Sequence, residues 1–455
     1  MIKLSEILEA TGGKTDFKGK DLVFKGISID SRSVKNGDLF IPVKGPNFDG
    51  HDFVAKALKK GALGAVISDK VAGLPKNKAI IKVGKDTPTL LLIAKYHRDR
   101  FKAKTVSITG SSGKTTTKDM VHSVLSQKGK TLKTEENFNN EIGVPLTLLR
   151  LKKTHKYAVI EMGMQGPGEI LPLSLACSPD IAAITNIGEA HIGILKTKKA
   201  IAKAKSEIIK GVKDPGTVVL NADDDFFGFL KRSCGKRKVI GIGLGKNAGL
   251  KAFDIKETGT GTSFRTRIGD FFVPLPGRHN IYNALIAIAV GSALNIPANK
   301  IREGIKRFRP SSKRMDIRTT SNGLRIINDT YNANPSSMKA ALLMLSAQDR
   351  RKIPGSRKIA VIGDMLELGK NSERYHLGIG KLIKDLDIDA VVAVGKLSKK
   401  YIYSLNQSEG FYFKTNAEAA DFLASFLSPN DTVLLKASRG LKLEEITQKI
   451  LDSNI

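Results

Sequence analysis

Cysteine is scarce in this 455-residue chain, tryptophan is absent, and no long apolar run is present. The two cysteines, Cys177 and Cys234, cannot form a disulfide framework, and neither belongs to a pair with metal-ligand spacing. Because no run of about 18 apolar residues occurs, we expect no segment that spans a bilayer. The start of the chain, MIKLSEILEATGG, lacks the basic beginning and the apolar core of a signal peptide. These absences predict a protein of the reducing cytoplasm.

Acidic residues are also in deficit, because 75 lysines and arginines face 44 aspartates and glutamates and leave a formal charge of +31. Such a charge fits nucleic acid, an anionic membrane surface or acidic small substrates as partners. The basic residues are spread in short groups such as KALKKG, KTKKAIAKAK and KLSKK, without a basic tail or an aromatic-plus-basic RNA-binding motif. We therefore favour a lysine-rich solvated surface, with a bias toward polyanionic small substrates as the alternative. We expect no specific nucleic-acid partner.

A chain of this length exceeds one hydrophobic core, and three regions differ in pattern. Residues 1–100 carry short strand-like segments between helical ones. Residues 101–313 alternate apolar strands with amphipathic helices, which predicts a parallel sheet covered by helices, and SFRTRIGDFFVPL predicts a hairpin beside it. Residues 314–455 repeat the alternation in LRIIND, KIAVIGDM, DAVVAVG and DTVLLKAS, which predicts a doubly wound, Rossmann-like domain. The expected fold class is α/β with a central P-loop domain.

The strongest local signal is the segment TGSSGKTTT, which follows the strand TVSI and opens a helix. Its glycines let backbone N–H groups face phosphates, and the helix N-terminus adds partial positive charge. Lysine at this position reaches the β and γ oxygens, and the threonine after it ligates Mg²⁺. The spacing differs from the common GxxxxGK[ST] form, because only two residues separate the two glycines. Alone, the loop indicates a nucleoside triphosphate and does not distinguish a ligase from a kinase or an ATPase. Its residues are Gly110, Ser111, Ser112, Gly113, Lys114, Thr115 and Thr116.

The segments around this loop carry a resemblance to a family. In chain order they are TGSSGKTTTKDM, ENFNNEIGVPLTLL, YAVIEMGMQGPGEI, TNIGEAHIGIL, AKAKSEI, GRHNIYNALIA and INDTYNANPSSMKAAL. Their order and spacing resemble the Mur ligase family over nearly the whole chain. The resemblance implies three domains. Residues 1–100 would bind a UDP-linked precursor, residues 101–313 would bind ATP, and residues 314–455 would form the Rossmann-like domain on the side of the incoming amine.

Within the family, ENFNNEIGVPLTLLR, DTYNANPSSMKAAL, VIGDMLELG and KASRG resemble the members that add D-alanyl-D-alanine. The segment SIDSRSVKNGDLFIPVKGPNFDGHDF resembles a UDP-sugar-binding domain, and the DNPR motif of the diaminopimelate-adding relative is absent. The resemblance implies a cytoplasmic ATP-dependent ligase, expected to be a monomer. It would join D-alanyl-D-alanine to UDP-N-acetylmuramoyl-tripeptide through an acyl phosphate, in peptidoglycan synthesis and hence in cell shape and division. Another amide ligase of the family is the first alternative, and a P-loop ATPase acting on nucleic acid is the second.

The same resemblance implies two Mg²⁺ ions and a modified lysine. Thr115 and Glu161 are the candidates for the first ion, since a carboxylate at the carboxyl end of a parallel strand faces the ligand crevice. His191, in IGEAHIG, is the candidate for the second ion. Lys205 stands where the family has a lysine that CO₂ converts to a carbamate, and an unmodified lysine that contacts phosphate is the alternative. Three further lysines lie nearby, at Lys198, Lys199 and Lys203.

The remaining candidates contact ATP or the substrates in the family pattern. Asn140 is expected to orient the γ-phosphate and the acyl end, because neutral amides bind oxygens without adding charge, although a turn explains an asparagine cluster equally well. Asn280 and Asn283 share one helix face and are the expected adenine pair. Arg314 and Asp329 are expected to reach the ATP phosphates and ribose when the C-terminal domain closes. The candidate substrate residues are Asn137 and Asn139 for the acyl end, Lys436, Ser438 and Arg439 for the dipeptide, and Ser31, Arg32, Lys44 and Gly45 for the uridine diphosphate.

Overall fold

The computed structural model describes residues 1–45, 47–85, 87–258, 260–311, 313–348, 355–405 and 409–452. Within these residues the chain forms three large sheets, one after another along the sequence, with helices packed on them. This arrangement confirms the α/β fold class that the alternating pattern predicts. No helix in the described part of the chain is both long enough and apolar enough to cross a bilayer.

The first sheet is built from short strands. Its elements are β1 (Ile2–Lys3), β2 (Lys14–Thr15), β3 (Val23–Phe24), β4 (Gly26–Ser28), β5 (Asp38–Phe40), β6 (Lys44–Gly45), β7 (Phe48–Asp49), β8 (Gly64–Ile67) and β9 (Ala79–Lys82), with α1 (Leu4–Thr11), α2 (Val54–Lys59) and α3 (Thr89–Asp99). The order is β2–β9–β8–β5–β4, parallel except at the β2–β9 edge. Because side chains alternate along a strand, Leu39 and Val66 pack in one core, whereas Phe40 and Ala65 pack in a second core on the other face.

The second sheet has seven strands, all parallel, in the order β11–β12–β10–β13–β14–β15–β16. These strands are β10 (Lys104–Thr109), β11 (Thr131–Lys133), β12 (Tyr157–Glu161), β13 (Ile181–Ile184), β14 (Thr217–Asn221), β15 (Lys238–Gly243) and β16 (Leu250–Lys251). The helices are α4 (Lys114–Ser126), α5 (Gly143–Leu148), α6 (Ile170–Cys177), α7 (Ile192–Leu195), α8 (Lys198–Ser206), α9 (Phe227–Ser233), α10 (His279–Ala293) and α11 (Ala298–Arg307). All five residues of β12 are buried, as expected for a strand in a sheet whose two faces are covered.

A small antiparallel sheet lies beside the second one. It consists of β17 (Phe253–Thr258), β18 (Gly261–Thr266) and β19 (Gly269–Val273). The pairing of β18 with β19 confirms the hairpin predicted from SFRTRIGDFFVPL.

The third sheet has the order β20–β21–β25–β22–β23–β24, parallel except at the β20–β21 edge. Its strands are β20 (Asp316–Thr319), β21 (Arg325–Asn328), β22 (Lys358–Gly363), β23 (Ala390–Val394), β24 (Glu409–Phe413) and β25 (Thr432–Lys436), and its helices are α12 (Pro335–Ser346), α13 (Ser372–Lys384), α14 (Lys399–Ile402), α15 (Asn416–Phe426) and α16 (Glu444–Asp452). In the register of β21 and β25, Asn328 pairs with Leu435. The next residues, Asp329 and Lys436, therefore emerge side by side at the carboxyl ends of two neighbouring strands.

The second and third sheet regions are in close contact. Met338 and Leu342 of α12 belong to the same buried apolar cluster as Ile184 and Ile281 of the central region. The linker between the regions is bonded to α4, because the hydroxyl of Ser311 donates to the carboxylate of Asp119. The same carboxylate also accepts a hydrogen bond from Lys133. The helix that begins at the phosphate loop is thus tied directly to the linker.

Both cysteines are buried and free. Cys177 ends α6, and Cys234 follows α9. Burial raises the pKa of the Cys177 thiol to about 12 and the pKa of the Cys234 thiol to about 11. Neither cysteine lines the cavities described below, and both belong to one buried apolar cluster.

Candidate active site

The phosphate loop joins the buried strand β10 to the N-terminus of α4. Gly113 has a φ of +77°, and a Cβ there would lie 2.6 Å from Asn283 Oδ1. A Cβ on Gly110 would meet Thr185 Oγ1 at 1.8 Å. Glycine is therefore required at both positions by backbone conformation or by space. In the part of the chain that the structure describes, no side chain caps the first turn of α4, so its N–H groups are open to an anion.

Lys114 lies at the start of α4 and folds back over the loop, where its ammonium donates to Gly110 O at 2.8 Å. Burial lowers the pKa of Lys114, and the nearby Arg314 acts in the same direction, whereas Glu161 opposes the shift. Three of the predicted site residues therefore lie within electrostatic reach of one another, although they come from two domains.

Glu161 ends β12, and its neighbour in the register of β10 and β12 is Ile108, two residues before the loop begins. The side chain is buried, with 1% of its surface exposed. Its Oε1 accepts a hydrogen bond of 2.9 Å from Asn139 Nδ2. Its Oε2 is buried and has no hydrogen-bond partner in the described part of the chain. Such an oxygen is costly unless a cation or a ligand satisfies it.

Lys205 is the buried member of the four lysines on α8. Its side chain is 1% exposed, whereas Lys199 and Lys203 are exposed and Lys198 pairs with Glu189 at 2.8 Å. Burial, and then the charge of Lys114, hold the pKa of Lys205 well below its usual range. A lysine in this environment favours the neutral amine.

His191 lies at the boundary with the C-terminal domain. Its Nδ1 is 2.9 Å from Glu367 Oε2, and its backbone has a φ of +64°. The structure thus brings Lys114, Glu161, Lys205 and Arg314 into one charged cluster and pairs His191 with a residue that the sequence interpretation did not include.

Two asparagines on the first turns of α10 line the nucleotide cavity with the phosphate loop. Asn283 Nδ2 donates to Asn280 Oδ1 at 3.1 Å, and Asn283 Oδ1 accepts from Thr117 Oγ1 at 3.0 Å. Asn280 Nδ2 donates to Pro276 O at 2.8 Å. Both side chains are buried, and their mutual bond fixes their orientation at the cavity wall.

The C-terminal domain closes the same cavity, which has a volume of about 430 Å³. The Arg314 guanidinium lies 3.9 Å above the Tyr331 ring, a cation–π distance. Lys436 Nζ donates to Asp329 Oδ2 at 2.6 Å and to Asn332 O at 2.9 Å. Residues of both domains therefore surround a single space beside the phosphate loop.

The asparagines after β11 have separate tasks. Asn139 bonds Glu161, whereas the side-chain oxygen of Asn140 accepts from Gly143 N at 2.9 Å and caps α5. Asn137 is exposed. The contact with the buried carboxylate is thus made by Asn139 rather than by Asn140, which the sequence interpretation gave the larger role.

The three candidates for dipeptide binding are already engaged within the fold. Lys436 holds Asp329, as described above. The hydroxyl of Ser438 accepts from Leu366 N at 2.8 Å and donates to Ala333 O at 3.2 Å. Arg439 pairs with Glu444 at 2.6 Å at an exposed position. Ser438 therefore ties three loops together at the carboxyl edge of the third sheet.

A second cavity, of about 480 Å³, lies between the N-terminal and central regions and is lined by Lys44 together with His51, Glu141 and Leu173. The other N-terminal candidates are not part of its lining. Ser31 is buried and Gly45 pairs with Phe48 in β6–β7. Arg32 is exposed and pairs with Asp30 at 2.9 Å.

Comparison with known proteins gives the family. The model of the Mur ligase family catalytic domain matches residues 23–86, that of the Mur ligase middle domain matches residues 108–291, and that of the Mur ligase glutamate ligase domain matches residues 313–439. The chain is 36% identical over 454 residues to the UDP-N-acetylmuramoyl-tripeptide–D-alanyl-D-alanine ligase of Bacillus subtilis, with 99% of this chain and 98% of that protein covered. The chain belongs to the Mur ligase family.

Solved structures of Mur ligases resemble this one over their full length. The crystal structure of MurF from Acinetobacter baumannii has a TM-score of 0.89 and 32% identity, covering 98% of each chain. The crystal structure of MurF ligase from Thermotoga maritima, in complex with ADP, has a TM-score of 0.84 and 28% identity, covering 96% of this chain and 99% of that one.

The nucleotide cavity is also lined by residues that the sequence interpretation did not name, among them His279, Tyr331 and Ser336. These three belong to the segments GRHNIYNALIA and DTYNANPSSM, in which it did name other residues. Their position within those segments was the available signal. Glu367 likewise lies in a quoted segment, VIGDMLELG, but nothing in that segment indicates that its partner is His191, which is distant in sequence.

Proposed function

We propose that this Mur ligase joins D-alanyl-D-alanine to UDP-N-acetylmuramoyl-tripeptide and converts ATP to ADP and phosphate. The product is the UDP-muramoyl-pentapeptide of peptidoglycan synthesis, so the enzyme would contribute to cell-wall growth, cell shape and division. We propose that it acts in the cytoplasm and as a monomer. The full-length similarity to the Bacillus ligase of that name supports this substrate pair. In the structure, one observation carries the proposal: the phosphate loop and the C-terminal domain line one cavity.

Joining a carboxylate to an amine requires an activated acyl group. A carboxylate oxygen of the tripeptide attacks the γ-phosphorus of ATP, the bond from that phosphorus to the β–γ bridging oxygen breaks, and ADP leaves. The amine of D-alanyl-D-alanine then attacks the acyl carbon, and the tetrahedral intermediate expels phosphate while the amine loses a proton. Phosphoryl transfer asks the protein mainly for alignment and charge neutralisation. We assign these two tasks to Lys114, Arg314 and the N–H groups at the start of α4.

Thr115 and Glu161 fit a magnesium ion. Glu161 presents a buried oxygen without a partner in the described part of the chain, and carboxylate and hydroxyl oxygens are ligands that Mg²⁺ prefers. When bound, the metal would neutralise charge on the transferred phosphoryl group. We assign Thr115 and Glu161 to one ion, and His191 with Lys205 to a second.

Lys205 is proposed to act as a carbamate. A buried amine whose pKa is lowered is largely neutral, and a neutral amine attacks CO₂ and loses a proton, leaving an anion with two oxygens. Those oxygens would suit a magnesium ion and would offset the charge of Lys114. An unmodified ammonium would instead add a second cation beside Lys114.

The two substrates are proposed to enter from opposite sides. The uridine diphosphate of the precursor is assigned to the cavity that Lys44 lines. Ser31, Arg32 and Gly45 remain its further candidates, although they are not part of that lining. The acyl end is assigned to the neighbourhood of Asn137, Asn139 and Asn140. The dipeptide is assigned to the C-terminal side, where Lys436, Ser438 and Arg439 lie. For ATP we assign the adenine to Asn280 and Asn283, and the phosphates and ribose to Arg314 and Asp329.

A coupled phosphate-release assay tests the proposal, with each UDP-muramoyl peptide offered against a panel of amines. We expect release only when UDP-N-acetylmuramoyl-tripeptide and D-alanyl-D-alanine are both present. Release with the UDP-dipeptide and a single amino acid would make the chain another amide ligase of the family and overturn the substrate assignment. Omission of each substrate in turn serves as the control for uncoupled ATP hydrolysis.

A further inference from the structure

The central and C-terminal domains meet at a backbone contact that leaves no room for side chains. Gly193 N donates to Glu367 O at 3.0 Å across the boundary. A Cβ on Gly193 would lie 2.6 Å from both Glu367 O and Gly369 N. Gly369 in turn has a φ of +61°, and a Cβ there would lie 2.8 Å from Gly193 Cα. This contact fixes where the C-terminal domain sits when it is docked.

Two non-glycine residues at this contact have left-handed backbones. His191 has a φ of +64° and Glu367 a φ of +63°. This conformation is unfavourable for residues with a Cβ and persists where the surrounding structure holds it, often at functional sites. Here both strained residues bring their side chains together, with His191 Nδ1 at 2.9 Å from Glu367 Oε2.

The loop that carries Glu367 is held from three sides. Asp364 accepts from Ser398 N at 2.7 Å, Met365 N donates to His376 Nε2 at 3.0 Å, and Leu366 N donates to Ser438 Oγ at 2.8 Å. His376 is fully buried and stacks on Tyr401 with a centroid distance of 5.2 Å. Three consecutive residues are therefore anchored, and they fix the backbone that leads into Glu367.

The imidazole needs this carboxylate. His191 Nδ1 is buried and, in the described part of the chain, has no aligned hydrogen-bond partner. Glu367 Oε2 is within hydrogen-bond length but off the N–H direction, so the ring must reorient before Nδ1–H can donate to it. In a neutral imidazole, a proton on Nδ1 leaves the lone pair on Nε2.

We propose that Glu367 is a positioning residue for His191: from the C-terminal domain it holds the proton on Nδ1 and leaves Nε2 free as a ligand. Carboxylates orient metal-binding histidines in this way in many proteins. Because Glu367 belongs to the other domain, His191 acquires this state only when the C-terminal domain is docked. The inference deepens the proposed function and rests on the assignment of His191 to a metal ion.

The first test reads the histidine tautomer without any substrate. The chain has seven histidines, so ¹⁵N-labelled imidazoles are resolvable, and His191→Gln assigns the signal. At a pH where the ring is neutral, we expect His191 to carry its proton on Nδ1. In Glu367→Gln the amide offers both a donor and an acceptor in the same volume, so the preference should be lost. A wild-type His191 with its proton on Nε2 would overturn the proposal.

The second test measures metal affinity with Mn²⁺ as the probe, in the presence of ADP. We expect Glu367→Gln and Glu367→Ala to weaken the histidine-dependent site by about 10- to 100-fold, as for other partners of metal-binding histidines. In a His191→Ala background the Glu367 substitution should add little, because the two residues act as one unit. Glu373→Gln is the matched control, since its exposed carboxylate pairs with Lys400 in the same domain. Equal Mn²⁺ binding in all variants would contradict the proposal.

Two further measurements separate this proposal from others. Solution scattering of Glu367→Gln should match wild type, whereas an expanded particle would mean that the contact only docks the domain, which overturns the positioning role. If the phosphate-release assay shows that a different amine is the substrate, the proposed function fails. The tautomer and Mn²⁺ measurements use neither the precursor nor the amine, and therefore still decide the role of Glu367.

Discussion

Lys205 and Lys114 lie close enough that the ammonium of Lys114 adds to the effect of burial in lowering the pKa of Lys205. Two lysines this close would repel each other if both were charged. This relationship gives the first prediction its physical basis. The charge at position 205 decides whether the pair repels or attracts.

We expect Lys205→Ala to lose nearly all activity and to regain part of it when a short carboxylate such as acetate is added. The added anion would take the place of the carbamate beside Lys114. Lys203→Ala is the control, because Lys203 is exposed on the same helix. Turnover measured with acetate, and separately with small amines, distinguishes the two charge states. Rescue by amines alone would show that Lys205 acts as a cation.

The second prediction concerns Lys114. Lys114→Ala should reduce acyl-phosphate formation by about 100- to 1,000-fold or more, the usual effect of removing one group that stabilises developing charge. Binding of the UDP-precursor should change little, because its proposed cavity lies between the N-terminal and central regions. ADP formation and equilibrium binding of the precursor are the two measurements, with the exposed Lys153→Ala as control. Near-normal turnover in a folded Lys114→Ala protein would refute the assignment.

The third prediction concerns docking of the C-terminal domain. Gly193→Ala places a Cβ 2.6 Å from two backbone atoms of the opposite domain, so docking should fail and turnover should fall. Solution scattering with ATP and the precursor should then give a larger radius of gyration than wild type. Gly378→Ala is the matched control, because a Cβ there meets nothing within 4 Å. Equal radii for the two variants would show that this contact does not control docking.

The fourth prediction concerns pH and His279. Burial lowers the pKa of His279 from 6.5 to about 4, while Asp329 acts in the opposite direction. Between these values the unfolded chain binds the proton more tightly than the folded chain, so stability present above pH 6.5 is lost as pH falls toward 4. His279→Gln should reduce that loss by about 1–2 kcal/mol, less than the full shift implies because the ring is partly exposed. Urea unfolding at a series of pH values measures the effect, and parallel profiles for the two proteins would contradict it.

The fifth prediction concerns the charge of +31. Salt should weaken binding of the precursor modestly, and duplex DNA at physiological salt should leave ATP hydrolysis unchanged. DNA binding without sequence preference is compatible with this prediction, because a basic surface attracts any polyanion. DNA-dependent turnover, measured as phosphate release with and without duplex, would instead support the nucleic-acid ATPase.

The large parallel sheets could be predicted because their strands are apolar runs separated by amphipathic helices. The strand β12, whose five residues are all buried, is one example. Edge strands such as β20 and β24 were missed, since their exposed residues break the apolar pattern. The short strand-like segments predicted within residues 1–100 do form strands, but strands of two or three residues are too short for periodicity to give their bounds.

The site was only partly predictable. The burial of Lys205 is indicated by helical spacing, because Ile201, Lys205 and Ile208 lie on the buried face of α8 and the following turn. Helical spacing does not indicate which of Asn139 and Asn140 contacts Glu161, because both belong to the same turn. The contact of His191 with Glu367 joins residues far apart in the chain and exists only through domain docking, so no local pattern reveals it.

Because its two cysteines are buried, this chain should react very slowly with thiol-directed labels. Thiol reagents attack the thiolate, and the raised pKa values of Cys177 and Cys234 leave almost none of it at neutral pH. A cysteine introduced at an exposed position such as Tyr403 would therefore react first with a dye or a spin label. The absence of tryptophan likewise gives any introduced indole an unmixed fluorescence signal. Movements of the three domains can thus be followed optically or magnetically without first removing native residues.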